Sequence, residues 1–385
     1  MNSEMNKKRT WLRTLIAPIL CGAAGGFLLG IILLRIERAA GNDGLFRDPK
    51  WIIALSLMVI AAILLQIIIH ELGHMLCGLA TGYRFASFRV GSFIWVREND
   101  RIRLKKYSLT GAVGQCLMFP PAYNGGEYPY ALYHLGGVIA NAVTAVLSAA
   151  AALLTAAAAP VSVFFILLGL VGLAFALSNG IPGSGPLMNN DGSNLREMRQ
   201  SAEARRSMWI QLSVVERQQR GERLKDMPEE WFAMPPAQAM RSSLAATLAV
   251  FRENRLMDEH RFREAADLID DLLGNVRNIA LPGIYRHLLI CDRLTIELLG
   301  DGDPAVIETL CDKEQRRVMK QMAGMITVLR TEYALALLYD RDEAKAGRLL
   351  AAFDRAAAQY PYSGDAESER SLTDLVRDKA AAAMP

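Results

Sequence analysis

The 385-residue chain has little cysteine and little net charge. Its five cysteines are odd in number and form no Cys-x-x-Cys pair, which argues against a disulfide framework and a cysteine-based zinc site. The 43 Lys and Arg nearly balance the 40 Asp and Glu, and no basic run is interleaved with aromatic residues. We therefore expect reduced thiols and no nucleic-acid partner.

Charge is also scarce in the first half of the chain. Residues 1–195 carry 24 charged side chains, about 12%, whereas residues 196–385 carry 59, about 31%. Three long apolar segments have none, namely 14–34, 51–70 and 132–190. Because about 20 helical residues cross a hydrocarbon core of about 30 Å, these runs predict a membrane-spanning first half and a water-soluble second half.

The predicted fold class is mainly α, with a polytopic membrane core and a soluble all-α C-terminal domain. The apolar runs place spanning helices at about 11–34, 51–80, 132–157 and 161–177. The first run exceeds the roughly 7–15 residues of a signal-peptide core, so we expect it to be retained. The predicted domain ranges are 1–200 for the membrane core and 201–385 for the helical domain.

Basic residues cluster before the first predicted span and after the second. The loop after the third span has none. By the positive-inside rule, the N-terminus, the 81–131 loop and the C-terminal half lie in the cytoplasm. We expect a multi-pass protein of a bacterial plasma membrane, in contact with the lipid bilayer and with both termini cytoplasmic.

The 81–131 loop contains a predicted small cytoplasmic β-hairpin. Residues 85–96 are rich in aromatic and β-branched side chains, and residues 101–107 alternate basic with apolar ones. Two roles are open: the hairpin lies on anionic headgroups, or it adds an extended peptide as a further strand. Gly114-Gln115-Cys116 is predicted as a structured re-entrant loop, and His134 as an interfacial residue.

From about residue 226 onward the pattern is helical. Amphipathic stretches at 261–273, 285–299, 327–338 and 342–359 mix small with larger apolar residues. Paired helices of this kind fit a solenoid-like array or a bundle. The domain is expected to bind a protein partner or to present a substrate.

The informative motif is His70-Glu71-Leu72-Gly73-His74, inside the second predicted span. Histidines four residues apart share one helix face and can bind one metal ion, with Glu71 beside a water molecule. Glu71 is the only formally charged residue of its span, and burying it in a membrane helix is costly enough to indicate a function. At 1.5 Å per residue, His70 and His74 lie about 15 and 9 Å inside the helix end at Ala80.

A catalytic zinc ion takes three protein ligands and one water, so a third ligand is needed. Asp191 is the candidate because it is the first charge after the 132–190 run. It follows a Gly- and Pro-rich break, and irregular backbone at membrane depth is tolerated where it lines a cavity. Asn-Asp-Gly is also ordinary turn chemistry. Paired with the two histidines, Asp191 is favoured as a ligand.

Taken together, a membrane-embedded HELGH followed by Asn179-x-x-Pro182 and Asp191-Gly192 resembles the site-2 protease family of intramembrane zinc metalloproteases. The resemblance covers roughly residues 50–195. It implies one zinc ion bound by His70, His74 and Asp191, with Glu71 as general base. It also implies that Asn179 positions the substrate backbone.

A second, shorter match lies in the third predicted span. Gly136-Gly137 with Asn141 is similar to an element of the family's middle core helix, which implies a substrate-binding role for Asn141. Two features depart from the family pattern. Asn179 and Asp191 are 12 residues apart, and Asn190 stands where an apolar residue normally precedes the aspartate.

The expected function is zinc-dependent hydrolysis of a membrane-anchored protein or peptide precursor near the cytoplasmic leaflet. The alternative is a catalytically silent membrane scaffold or peptide transporter of the same fold. A metal transporter is a third possibility, for which further His or acidic residues along another helix would be expected.

Overall fold

The computed structural model describes residues 30, 49–98, 101–107, 113–124, 126–155, 158–183, 189–275 and 277–382. These residues are mainly helical, with one small antiparallel sheet. They group into two compact units. The first contains the described residues up to Gln66 with Asn141–Ala174, and the second contains Ile67–Ala140 with Phe175–Pro385.

Three described helices are long and apolar enough to cross a membrane: α1 (Pro49–Ala80), α2 (Tyr130–Leu154) and α3 (Ala159–Gly180). They correspond to the last three predicted spans, with ends that differ by no more than three residues. Apolar runs of this length form helices in lipid because a helix satisfies its own backbone hydrogen bonds. The predicted span at 11–34 lies outside the described residues.

The first unit holds a buried polar network among apolar side chains. Asn141 Nδ2 donates to the main-chain oxygen of Gln66 at 3.0 Å and to its Oε1 at 2.7 Å. Gln66 Nε2 in turn donates to the Leu168 carbonyl at 2.9 Å. Both side chains are fully buried. Polar side chains of this kind tie membrane helices together, so this network links α1, α2 and α3 within the unit.

In the second unit, four antiparallel strands form one sheet: β1 (Arg84–Val90), β2 (Phe93–Glu98), β3 (Arg101–Lys106) and β4 (Gly114–Phe119). Their order is β3-β2-β1-β4. The predicted β-structure at 85–107 is confirmed, but the segment 85–96 is not one strand. It turns at Gly91, whose φ of 59° suits a residue without a Cβ.

The prediction for Gly114-Gln115-Cys116 is wrong, because these residues begin β4 and do not form a loop. Cys116 pairs with Phe88 and Gly114 with Val90 of β1. The side chains of Cys116 and Met118 are buried on one face of β4, whereas Gln115 and Leu117 are half-buried on the other. The strand therefore has apolar contacts on both faces.

The remaining described chain is helical. After α4 (Asp191–Gln200) and α5 (Ala202–Gln219), three short 3-10 turns lead into α6 (Ser243–Asp258). The later helices are α7 (Phe262–Gly274), α8 (Gly283–Leu299), α9 (Pro304–Leu310), α10 (Lys313–Gln321), α11 (Ile326–Ala334), α12 (Glu343–Gln359) and α13 (Ser363–Ala382). The predicted helical pattern is confirmed. The domain boundary at 200 and the choice between solenoid and bundle stay predictions.

Candidate metal centre

Three residues of the candidate centre lie on α1. His70 and Glu71 are adjacent, and His74 follows one helical turn later. Each of the three residues is only 8% exposed. Gly73, between them, permits a very close helix contact, because a Cβ there would lie 2.3 Å from the Gly136 carbonyl oxygen of α2. Small residues allow membrane helices to approach at backbone distance. The two histidines therefore flank a direct backbone contact between α1 and α2.

Gly137, the next residue of α2, leaves room for the His70 imidazole. A Cβ at Gly137 would lie 2.5–2.6 Å from three atoms of that ring, closer than any real contact. The Gly136-Gly137 pair thus has a physical role in this chain. Gly136 allows the helices to meet, and Gly137 holds the ring of His70.

Asp191 is the first residue of α4, and its two sequence neighbours fix its place. Asn190 is the N-cap, accepting from the Ser193 amide at 3.0 Å. Its Nδ2 also donates to the Ser178 and Ile181 carbonyls at the end of α3, both at 2.7 Å. Gly192 completes the contact, because a Cβ there would lie 2.2 Å from the Gly180 carbonyl oxygen.

Asn190 is a structural residue that the sequence analysis missed. From the sequence alone, Asn190 is only a departure from the apolar residue that normally precedes the aspartate. The available signal was its N-cap setting, since Asn before a helix start is a strong capping residue. Its side chain joins two helix ends, which explains why a polar residue stands beside Asp191.

The three predicted ligand residues meet at their donor atoms. The Nε2 atoms of His70 and His74 are 3.1 Å apart. Oδ2 of Asp191 lies 3.2 Å from the first and 3.4 Å from the second. Tetrahedral bonds of about 2.0–2.1 Å to one zinc ion place ligand atoms about 3.3–3.4 Å apart. The triangle therefore has the dimensions that a zinc-type centre requires.

The partners of these donors also suit a metal. Nδ1 of His74 lies 2.8 Å from the Tyr133 carbonyl oxygen, which can only accept, so Nδ1 carries the proton. Nε2 of His74 then presents a lone pair, the arrangement that metal-ligating histidines usually show. The buried Oδ2 of Asp191 accepts no hydrogen bond from the described residues. Among them, His70, His74 and Asp191 form a group that could hold a metal ion.

Electrostatics keep Asp191 ionised. Burial alone would raise the pKa of its carboxyl group, but the adjacent His70 and His74 imidazoles, in their protonated form, outweigh burial and lower that pKa well below its ordinary value. The position at the start of α4 also favours a negative charge, because the helix dipole is positive there. Asp191 is therefore a carboxylate throughout the physiological pH range.

Glu71 faces the sheet. A Cβ at Gly114, the first residue of β4, would lie 2.5 Å from Oε1 of Glu71. The Glu71 side chain therefore lies directly against the β4 backbone. The sequence does not predict this contact, because nothing in Gly-Gln-Cys indicates a strand whose first residue lies against a helix carboxylate.

His134 and Cys116 are both buried inside the protein. His134 is 6% exposed, and its expected position at the membrane interface stays a prediction. Its Nε2 has no hydrogen-bond partner among the described residues, and its ring interacts electrostatically with Asp191 and His74. Cys116 is not part of the metal group; its carbonyl accepts a hydrogen bond from Tyr133 Oη at 3.0 Å.

The two predicted substrate-binding asparagines are occupied by contacts within the protein. Asn179 Nδ2 donates to the Phe175 carbonyl of its own helix at 3.0 Å. Asn141 belongs to the Gln66 network of the first unit. Their substrate-binding roles stay predictions.

Comparison with protein-family models, with curated proteins and with solved structures gives no match to this chain.

Proposed function

We propose that this protein is an intramembrane zinc metalloendopeptidase, resembling site-2 proteases, that hydrolyses a peptide bond of a membrane-anchored protein or peptide. The observation that carries the proposal is the triangle of donor atoms from His70, His74 and Asp191, with Glu71 next to it in an apolar helix. Membrane helices avoid such side chains unless they serve a function.

His70, His74 and Asp191 would hold the ion. Two imidazoles and one carboxylate are a zinc-type donor set that leaves one position for water or substrate. When bound, zinc polarises a carbonyl group and acidifies water. His74 is already oriented for this by Tyr133, and Asp191 by Asn190 and Gly192.

Glu71 is the proposed general base and acid. It neighbours His70 in sequence, and its carboxyl oxygen lies against Gly114. Glu71 accepts the proton of the attacking water and delivers it to the leaving amine. His134 is a further candidate, since its buried Nε2 can donate a hydrogen bond to the carbonyl oxygen as negative charge develops there.

The substrate is expected to bind as an extended strand, because a helical backbone keeps its carbonyls in internal hydrogen bonds. The sequence-based proposal that residues 85–96 hold this strand is corrected, since β1 and β2 are paired on both sides. Among the described strands, β3 and β4 are the edges. The edge strand β4 begins at Gly114 against Glu71, so a substrate strand beside the start of β4 would meet the catalytic carboxylate.

The lysine and arginine distribution supports a position of this end of α1 near the cytoplasmic leaflet. The proposed location is a bacterial plasma membrane, with the helical domain in the cytoplasm.

The test is co-expression with a panel of tagged single-span membrane proteins, comparing the wild-type chain with Glu71→Gln. We expect cleavage to fall about 10²- to 10⁴-fold, the usual contribution of a general base, with metal content retained. Glu98→Gln is the matched control, because Glu98 lies on β2 and pairs with Lys105. Equal cleavage by wild type and Glu71→Gln would favour a silent scaffold.

A further inference from the structure

A cavity of about 370 Å³ lies between the sheet and the helices of the second unit. Gln115 and Leu117 of β4 form one wall, together with Tyr107 just after β3. Side chains of α5, α6, α8 and α13 form the others. This volume lies within the range of small-ligand sites. It suits one or two side chains of a peptide.

The lining has charge of one sign. Most lining residues are apolar or aromatic, but Asp292, Asp365 and Glu369 also reach the cavity. Within the described chain, no Lys, Arg or His lines it. Apolar walls combined with carboxyl groups match a ligand that has an aliphatic stem and a positive end.

Cations behind the walls do not balance these acids. Arg330 is fully buried and pairs with Asp292, and its Nε lies 3.2 Å from Oε2 of Glu369. Glu253, also fully buried, adds a further carboxyl group whose oxygens have no hydrogen-bond partner among the described residues. Arg89 of β1 is a further buried cation, and it interacts electrostatically with the Tyr107 and Tyr362 phenols of the lining.

Two polar atoms in the wall have hydrogen-bonding capacity left. Oε2 of Glu369, in a residue only 8% exposed, accepts no hydrogen bond from the described residues, and its contact with Arg330 Nε is an ion pair without hydrogen-bond geometry. Oε1 of Gln115 is also buried without a partner there. Both are acceptors, and a ligand that donates N–H groups would satisfy them.

The titration of the acids agrees with this charge imbalance. Burial raises the pKa of Asp365 to about 6 and that of Glu369 to about 7. Desolvation with too few nearby cations produces such shifts, and an added cation would reverse them. Tyr107 and Tyr360, whose ring centroids are 5.5 Å apart, add aromatic faces that attract cations.

We propose that this cavity binds a lysine or arginine side chain of a peptide, with the stem against Leu117 and Val215 and the charged end at Glu369 and Asp365. If the protein is a protease, the ligand is a basic residue flanking a substrate's membrane span, where Lys and Arg are common. That extension rests on the proposed function; the binding site itself does not.

The test is calorimetric titration of the full-length, detergent-solubilised chain carrying Glu71→Gln, which removes cleavage from the measurement. The probe is N-acetyl-Leu-Lys-amide, with N-acetyl-Leu-norleucine-amide as the uncharged match. We expect the lysine probe to bind at least about tenfold more tightly, because hydrogen bonds to charged groups are the strong ones. Equal binding of both probes would overturn the proposal.

Variants locate the site. We expect Glu369→Gln and Asp365→Asn each to weaken lysine-probe binding at least about tenfold, and Glu367→Gln, an exposed residue between them on α13, to leave it unchanged. Glu369→Gln disturbs Arg330, so Val215→Phe provides a second route by filling the cavity without removing a charge. Unchanged binding in both Asp365→Asn and Val215→Phe would place the probe elsewhere and overturn the proposal.

Discussion

The metal centre and the core of the helical domain both bury ionisable side chains, but they balance them differently. In the helical core, Arg330 is a buried cation supplied by the chain and held by Asp292 and Glu369. At the metal centre, Nε2 of His74 and Oδ2 of Asp191 face each other at 3.4 Å with no arginine or lysine in the metal group.

The difference shows what each cluster requires. A buried carboxylate is stable only when a cation or several hydrogen bonds compensate it. The helical core contains one such cation, which holds Asp292 and Glu369 in place, although Glu253 also lies near the same guanidinium. The candidate metal centre presents acceptor atoms toward one point, and under the proposed function a cation from outside the chain would complete it.

Removing Arg330, the buried cation of the helical core, tests the description of that core. Of the changes considered, we expect it to have the largest effect on stability. Arg330→Met leaves Asp292, Glu369 and Glu253 without their shared guanidinium. We expect the free energy of unfolding to fall by about 3–5 kcal/mol, as measured by chemical denaturation. Arg293→Met, which breaks pairs near the surface, is the control and should cost less than about 1 kcal/mol. Similar losses in both variants would contradict the role assigned to Arg330.

Crowding the His70 ring tests the second half. Gly137→Ala introduces a Cβ 2.5 Å from that ring, so the imidazole must shift from its place in the triangle. We expect metal affinity to fall about 10- to 100-fold, the usual effect of disturbing a ligand's support, as measured by competition with a chelator. Gly347→Ala, where a Cβ meets nothing within 4 Å, is the control. Wild-type affinity in Gly137→Ala would show that His70 does not bind the ion.

The pH dependence of stability sharpens the description of the helical core. Burial raises the pKa of Asp365 from 3.8 to about 6. The nearby carboxyl groups of Asp258 and Asp292 raise it further, whereas the hydrogen bond with Tyr360 and the charge of Arg330 oppose the shift. Because the folded state favours the protonated acid, the Asp365 contribution to stability is present at low pH and is lost as pH rises from about 4 to 6. The Asp365→Asn variant has no carboxyl group at this position and therefore lacks this pH-dependent contribution to stability.

Thermal unfolding at several pH values measures the contribution of Asp365 to the free energy of unfolding. Relative to wild type, we expect Asp365→Asn to gain up to about 3 kcal/mol between pH 4 and pH 7, since one pKa unit corresponds to about 1.36 kcal/mol. A constant difference between the two chains across that range would show that Asp365 titrates normally.

The membrane helices and most of the site could be predicted from local patterns. Charge-free runs identified α1, α2 and α3 because length and hydropathy alone determine a span. The spacing of His70 and His74 determined their common face, and Asp191 was identifiable as the first charge after a long apolar run. Each of these signals is local in sequence, and the structure brings the three residues together.

The missed features depend on contacts between distant segments. Asn190 bridges to the end of α3, and Gly114 meets Glu71 across more than 40 residues of chain. The burial of His134 likewise results from the packing around α2. None of these residues belongs to a periodic pattern, so composition and spacing gave no reason to place them at the site.

The most direct test is elemental analysis of the detergent-purified chain by mass spectrometry, with His74→Ala and Asp191→Ala beside wild type and Glu71→Gln. The ligand assignment predicts one zinc ion per chain in wild type and Glu71→Gln, and near-complete loss in the two ligand variants. Equal zinc in all four proteins, or none in wild type supplied with zinc, would contradict a metal centre at His70, His74 and Asp191.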